Sequence, residues 1–156
     1  MQIKIDPTDI AILDVLQQDG RLSVSEIGRR VGLSQPAASE RIKRLEERGI
    51  ITGYTACVDP EALGLAMQAI LRLKTTHENI SRALQLFDET PEIVGVDRVT
   101  GEDCFVLRVL VPRPADLEQI VDFIARLGTV TTSVVLRRQP VKPISRQLLK
   151  ASAGNA

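Results

Sequence analysis

Tryptophan is absent from these 156 residues, histidine occurs once and cysteine twice, and Tyr54, Phe87, Phe105 and Phe123 are the only aromatic side chains. Any core must therefore be built from aliphatic groups. Cys57 and Cys104 are too few for a disulfide framework, so reduced thiols and a cytoplasmic location are expected. Cys104, beside Phe105, reads as a small buried hydrophobe rather than a redox sensor. The single histidine, His77, reads as a solvated loop residue. The sequence carries no metal-ligand cluster, no nucleophile motif and no phosphate-binding glycine loop, so no metal, no cofactor and no enzymatic activity are expected. The longest apolar runs, such as Phe105–Leu107 and Val109–Val111, fall far short of the ~20 residues that span a bilayer. No basic stretch followed by a long apolar run marks a signal peptide. Acids and bases number 20 each, so any argument for a polyanionic partner must come from local clustering.

The first third has helical periodicity. Asp6-Pro7 opens one helix, since proline suits a first turn in which its missing N–H is not needed. Ile10, Leu13 and Leu16 follow at helical spacing, and Gly20 is a candidate terminal cap. Ser23-Val24-Ser25-Glu26 has the form of a capping box opening a second helix, with Val24, Ile27 and Val31 as its apolar stripe and Gly32 as its stop. Ser34 caps a third helix, Pro36 lies in its first turn, and Ala38, Ile42 and Leu45 form its buried side. Two helices separated by Gly32-Leu33-Ser34, with another before them, make a tri-helical helix-turn-helix. Residues 50–58 are β-prone around Gly53 and read as a wing or linking strand.

Asp59-Pro60 and Leu63-Gly64 mark a hinge. Beyond it Leu65, Met67, Ala69, Leu71 and Leu73 alternate with Gln68, Ile70, Arg72 and Lys74, the period of a half-buried strand. Ile80, Ala83, Leu84 and Phe87 mark a helix. Ile93–Val99 and Phe105–Val111 read as a hairpin across residues 100–103. Leu117, Ile120, Val121, Ile124 and Leu127 mark another helix, and Val130, Thr132, Val134 and Leu136 a last strand. The order β-α-β-β-α-β, with two helices on one sheet face, is ferredoxin-like. The fold class is therefore α+β: an N-terminal winged helix-turn-helix over 1–60, a hinge at 61–65 and a ferredoxin-like βαββαβ domain over 66–138. The tail, 139–156, with Pro140 and Pro143, shows no clear element and is expected to be mobile or to pack on a partner.

Between residues 21 and 48 the bases Arg21, Arg29, Arg30, Arg41, Lys43, Arg44 and Arg48 outnumber the acids Glu26, Glu40, Glu46 and Glu47 by three, inside a chain of no net charge. A helix-turn-helix presents its second helix to the major groove of duplex DNA. Gln35 and Ser39 lie near the start of that helix, where side chains meet base edges, although both could equally be solvated first-turn residues. With Ser34 and Pro36 they form the candidate reading end. Lys43, Arg44 and Arg48 suit phosphates, which position the protein without reading sequence. Arg41 lies on a flank, where it could contact DNA or brace a carboxylate.

The residues Leu13-Asp14-Val15-Leu16-Gln17-Gln18-Asp19-Gly20-Arg21, Gly32-Leu33-Ser34, Arg41-Ile42-Lys43-Arg44-Leu45-Glu46, Gly49-Ile50-Ile51, Gly53-Tyr54, Asp59-Pro60 and Leu63-Gly64 resemble, in register, those of the Lrp/AsnC, or feast/famine, family of transcription regulators. The likeness extends more loosely to about residue 138. It implies sequence-specific binding to double-stranded DNA, a small-molecule effector, an amino acid or related metabolite, bound by the βαββαβ domain, and self-association into dimers and stacked assemblies up to octamers. It places the effector near the hairpin, at Thr100, Gly101, Asp103 and Cys104, and near the last strand. One departure stands out. The family often shows an aspartate three residues after the hairpin glycine, where this chain has Cys104, and Asp103 comes one position early. On the last strand Thr131, Thr132 and Ser133, with Thr129 nearby, could hydrogen-bond a carboxylate, or could simply be good strand formers on an exposed face.

Two other functions share this topology. RNA-recognition domains stack bases on aromatics of the third strand, yet residues 105–111 hold one aromatic and no Gly-aromatic-Gly pattern. Sirohaem decarboxylases resemble the same two-domain family, but their chemistry leans on histidines around a tetrapyrrole, and this chain has only His77. A sensor lacking a DNA-binding head is disfavoured by the complete N-terminal third. The outward sheet face, with Ile70, Val106 and Leu110 among polar residues, is expected to pack against a second copy. Two-fold symmetry would then set two recognition helices about 34–36 Å apart, on successive major grooves.

Overall fold

The computed structural model describes residues 5–153. The chain forms two compact units, Met1–Cys57 with Pro140–Ala156, and Val58–Gln139.

In the first unit α1 (Pro7–Gln18), α2 (Val24–Val31) and α3 (Gln35–Glu47) pack around Ile12, Leu13, Ile27, Ile42 and Leu45. Asp6 caps α1: its side chain accepts from the Asp9 N–H while the Asp9 carboxylate accepts from the Asp6 N–H, a reciprocal box with aspartate at both ends. The expected Gly20 cap is displaced, since Asp19 ends the helix in extended conformation. Ser23 caps α2 as expected, but Glu26 does not reach back to close the box. Its carboxylate holds Arg29 and Arg30 on its own helix instead. Gly32 takes the left-handed conformation that turns the chain into α3. There the Leu33 N–H donates to the Gly28 carbonyl, and a methyl group on Gly28 would lie 2.8 Å from the Leu33 oxygen. Only a residue without a side chain lets the turn close this tightly.

Arg41 corrects its expected role. Its guanidinium turns inward from α3 and donates to Asp6 at 2.6 Å and to Asp9 at 2.7 Å, tying α3 to the start of α1. Burial alone would raise the Asp6 carboxyl, but the bonds from Arg41 and from the Asp9 N–H outweigh it and hold it below the ordinary carboxylate range.

Residues 50–58, read as a wing or linking strand, make no strand pairing among the described residues. The tail also departs from expectation. It forms a helix, α6 (Arg146–Ala153), and groups with the first unit. Gln17 brackets Ile144 by giving one hydrogen bond to its carbonyl and taking one from its N–H, Arg146 pairs with Asp14, and Leu149 joins the helical core.

The second unit is a sheet in the order β2-β3-β1-β4, formed by β1 (Met67–Thr75), β2 (Ile93–Arg98), β3 (Phe105–Val111) and β4 (Gly128–Val134), every pair antiparallel. β1 starts two residues after the expected Leu65. Helices α4 (Ile80–Glu89) and α5 (Pro114–Ala125) cover one face, over Leu71, Leu73, Leu107 and Val111, all fully buried. Phe87 meets Phe105 edge to face at 5.3 Å, the one aromatic pair in an otherwise aliphatic core. The alternation in β3 is regular, with Phe105, Leu107, Val109 and Val111 buried and Arg108 exposed between them.

Two outcomes follow from this packing. Gly28→Ala should lower the stability of the helical unit by about 1–3 kcal/mol, as overpacking does; an unchanged denaturant midpoint would show that the turn is looser than described. Arg41→Ala leaves buried Asp9 without its charged partner and should cost about 1–3 kcal/mol at neutral pH. Because Asp6 titrates lower in the folded state than in the unfolded chain, its contribution is present above the ordinary carboxylate value and is lost as the pH falls through the folded one. The gap between wild type and variant should therefore narrow in acid, and a gap independent of pH would contradict the brace.

Candidate functional site

Three turns of α3 carry the candidate nucleic-acid interface. Ala38, Ile42 and Leu45 are buried, and at 3.6 residues per turn the opposite face is Pro36, Glu40, Lys43, Arg44 and Glu47. With Gln35 and Ser39 these residues line one continuous shallow concavity. Of the residues expected to contact DNA, the structure brings Gln35, Pro36, Ser39, Lys43 and Arg44 together there. Ser34 is occupied as the helix cap, accepting from the Ala37 N–H. Arg48 stands just past the last turn, exposed. Arg41 is committed to Asp6 and Asp9, away from this face.

The electrostatics are finer than the net excess of bases suggested. Lys43 lies 3.5 Å from Glu47, a solvent-exposed pair one turn apart. On α2 the hydrogen bonds from Arg29 and then Arg30 outweigh slight burial and draw the Glu26 carboxyl down to about 2. That carboxylate fixes the two guanidinium groups as a forked cationic patch. The Arg29 and Arg30 pair entered the charge count, but only the folded chain shows it preorganised. Tyr54, in the segment after α3, donates to Glu46 at 2.9 Å; burial first, and that bond second, push its phenol up to about 12.

The candidate ligand-binding face lies on the second unit, on the side of the sheet away from α4 and α5. The registers put Arg72 between Val106 on β3 and Thr131 on β4, and Ile70 between Arg108 and Ser133. Thr131 and Ser133 therefore share this face. Thr132 does not: it is paired with buried Leu71 and points to the helix-covered side, so the expected hydroxyl trio is split by the pleat. In the hairpin, Gly101 takes a positive φ, and Asp103 reaches to 3.8 Å from Arg72. Thr100 lies beside Gly101 at the tip. Cys104 is half-buried, its N–H donating to the Leu73 carbonyl and its thiol to that of Thr75. Arg72 and Arg108 were not among the expected site residues. Arg108 lies across Gly95, which leaves the room it needs, and 3.9 Å from Asp97. Strand alternation already placed Arg72 on this face; what it could not supply was the cross-strand neighbour. The arrangement offers guanidinium groups for an anion, hydroxyls for hydrogen bonds and two carboxylates, Asp97 and Asp103, for a cation. Among the described residues no group of three or more His, Cys, Asp or Glu side chains could hold a metal ion, and no helix is long and apolar enough to cross a membrane.

Comparison with known proteins agrees with both halves. Residues 5–52 match a winged helix-turn-helix DNA-binding family, and residues 68–142 match the Lrp/AsnC ligand binding domain. The HTH-type transcriptional regulator YezC of Bacillus subtilis, itself uncharacterized, is 34% identical over 139 residues, 89% of this chain and 99% of that protein. The DNA-binding transcriptional activator DecR of Escherichia coli is 36% identical over 126 residues, 79% of this chain and 81% of that protein. Among solved structures, LrpC of Bacillus subtilis superposes with a TM-score of 0.85 at 29% identity, covering 90% of this chain and all of that one. The transcriptional regulator NMB0573 of Neisseria meningitidis, solved as a complex with L-Met, superposes at 0.81 with 29% identity, covering 93% of this chain and all of that one.

Proposed function

This chain belongs to the Lrp/AsnC family of DNA-binding transcriptional regulators, and we propose that α3 is its recognition helix, laid in the major groove with Gln35 and Ser39 toward base edges and Lys43, Arg44 and Arg48 toward phosphates. The observation that carries this assignment is the sidedness of α3: its apolar stripe is consumed by the core, and the concave polar face opposite it is left to solvent. A glutamine can pair with adenine through two hydrogen bonds, which makes Gln35 the residue best suited to choose a base.

The ligand-binding domain takes an amino acid or a related metabolite. The methionine complex of the meningococcal relative supports this class, as does a face that pairs Arg72 and Arg108, suited to a carboxylate, with Asp103, suited to an ammonium group. Asp103 takes the part that the resemblance gives to the position of Cys104. Thr100, Gly101, Thr131 and Ser133 complete the site. The protein works in the cytoplasm as a homodimer or a stack of dimers, joined in part through Ile70, Val106 and Leu110, and it performs no catalysis. A ligand regulates such an assembly only by binding two of its arrangements with different affinity.

Three measurements test this. With three phosphate contacts from each head of a dimer, the logarithm of affinity should fall with the logarithm of salt at a slope of about −5, and Lys43→Ala should reduce that slope by about 2 while weakening all sequences alike. Gln35→Ala should relax preference at one base position per half-site; identical, uniform losses in the two variants would remove the base-reading role. A panel of amino acids, methionine included, should contain at least one that raises the melting temperature as its concentration rises. Asp103→Ala should abolish that rise, and a ligand response unaffected by this change would put the site elsewhere.

A further inference from the structure

Four acids lie between residues 21 and 48, and three of them are engaged: Glu26 by Arg29 and Arg30, Glu46 by the Tyr54 hydroxyl, and Glu47 by Lys43. Among the described residues Glu40 has neither a hydrogen bond nor an ion pair, although Lys43 and Arg44 stand three and four positions along the same helix. It is exposed, and at 100° per residue it points within about 20° of directly opposite the Ala38, Ile42 and Leu45 stripe. It lines the concavity, with Pro36 one turn before it and Ser39 beside it. Of the side chains on α3 only Glu47, already engaged by Lys43, lies nearer that line.

A carboxylate in that place is costly against phosphates, which repel it. Against base edges the outcome depends on the base. An ionised carboxylate only accepts hydrogen bonds. Guanine shows two acceptors to the major groove, thymine an acceptor and a methyl group, and adenine an acceptor beside its amino group. Cytosine alone shows an amino donor with no acceptor of its own beside it. We propose that Glu40 is a specificity-determining residue that accepts a hydrogen bond from a cytosine amino group at one position of each half-site and rejects the other bases by repulsion. This rests on α3 being the recognition helix, and it assigns a base to a residue that charge counting treats only as a penalty.

The test uses the full chain and a library of randomised duplexes, selected and sequenced in parallel for wild type, Glu40→Ala and Glu40→Gln, followed by titration of the preferred duplex and a version with the assigned cytosine replaced. Wild type should enrich one site with cytosine at a fixed position and lose affinity roughly 5- to 150-fold on its replacement. Glu40→Ala should bind both duplexes equally, keep every other preference and hold unrelated DNA at least as tightly as wild type, because a negative charge has been removed. Glu40→Gln, of the same shape but with a donor as well as an acceptor, should move the preference to adenine. Unchanged preferences in both variants, or a loss equal at every position, would overturn the role of Glu40 while leaving the recognition helix intact. A wild-type protein that enriches no site would overturn both.

Discussion

Ala38, Ile42 and Leu45 commit one side of α3 to the core shared with α1 and α2, and most of what the N-terminal unit can do follows from that commitment. Once the apolar stripe is buried, helical geometry dictates which side chains remain outside, and here they are polar, charged and arranged on a single concave surface. The commitment is reinforced at two points. Gly28 allows the turn between α2 and α3 to close against the Leu33 carbonyl. Arg41 reaches the opposite way, to Asp6 and Asp9 at the start of α1. An interface held by packing on one side and by an ion-pair brace on its flank keeps its outer face in fixed register, which base discrimination requires.

The second unit uses the same principle in a sheet. Alternation sends Leu71, Leu107 and their neighbours under α4 and α5, and sends Arg72, Arg108, Thr131 and Ser133 to the opposite side. A ferredoxin-like sheet covered on one face leaves the other for ligand or partner, and this chain fills it with a mixture of guanidinium groups, hydroxyls, two carboxylates and a few aliphatic side chains. The mixture supports the proposal of a face shared by a small zwitterion and a second copy, since neither partner alone would call for both the charges and the apolar patches.

Much of this was legible in the chain itself, where local rules and tertiary packing agree. Ser23 and Ser34 cap the helices they precede, Gly32 turns between them, and the period-2 pattern of β1 and β3 locates both strands. The failures arise where a side chain has more than one available partner. Glu26 had the spacing to close a capping box, yet two arginines one turn along its helix offered charged donors and won. Arg41 stands on a flank, and only the fold brings Asp6 and Asp9, more than thirty residues away, within reach. Thr131, Thr132 and Ser133 look like one hydroxyl cluster in sequence, but the pleat sends the middle one to the other face. The tail hid its helix behind Pro140 and Pro143, because a segment this short acquires its order from Gln17, Asp14 and the core beneath Leu149 rather than from its own propensity.

Contact between the outer face of α3 and DNA is the proposal on which the rest stands. It is tested most directly by chemistry delivered from that face. With Cys57 and Cys104 replaced by serine, a single cysteine at position 39 would carry an iron chelate that cleaves DNA locally, and a control would carry it at Gln18 on α1. Cleavage from position 39 should be confined to a few nucleotides within one major groove of each half-site and should exceed that from position 18. Stronger or better-focused cleavage from position 18, with little from position 39, would contradict the assignment of α3 as the recognition helix.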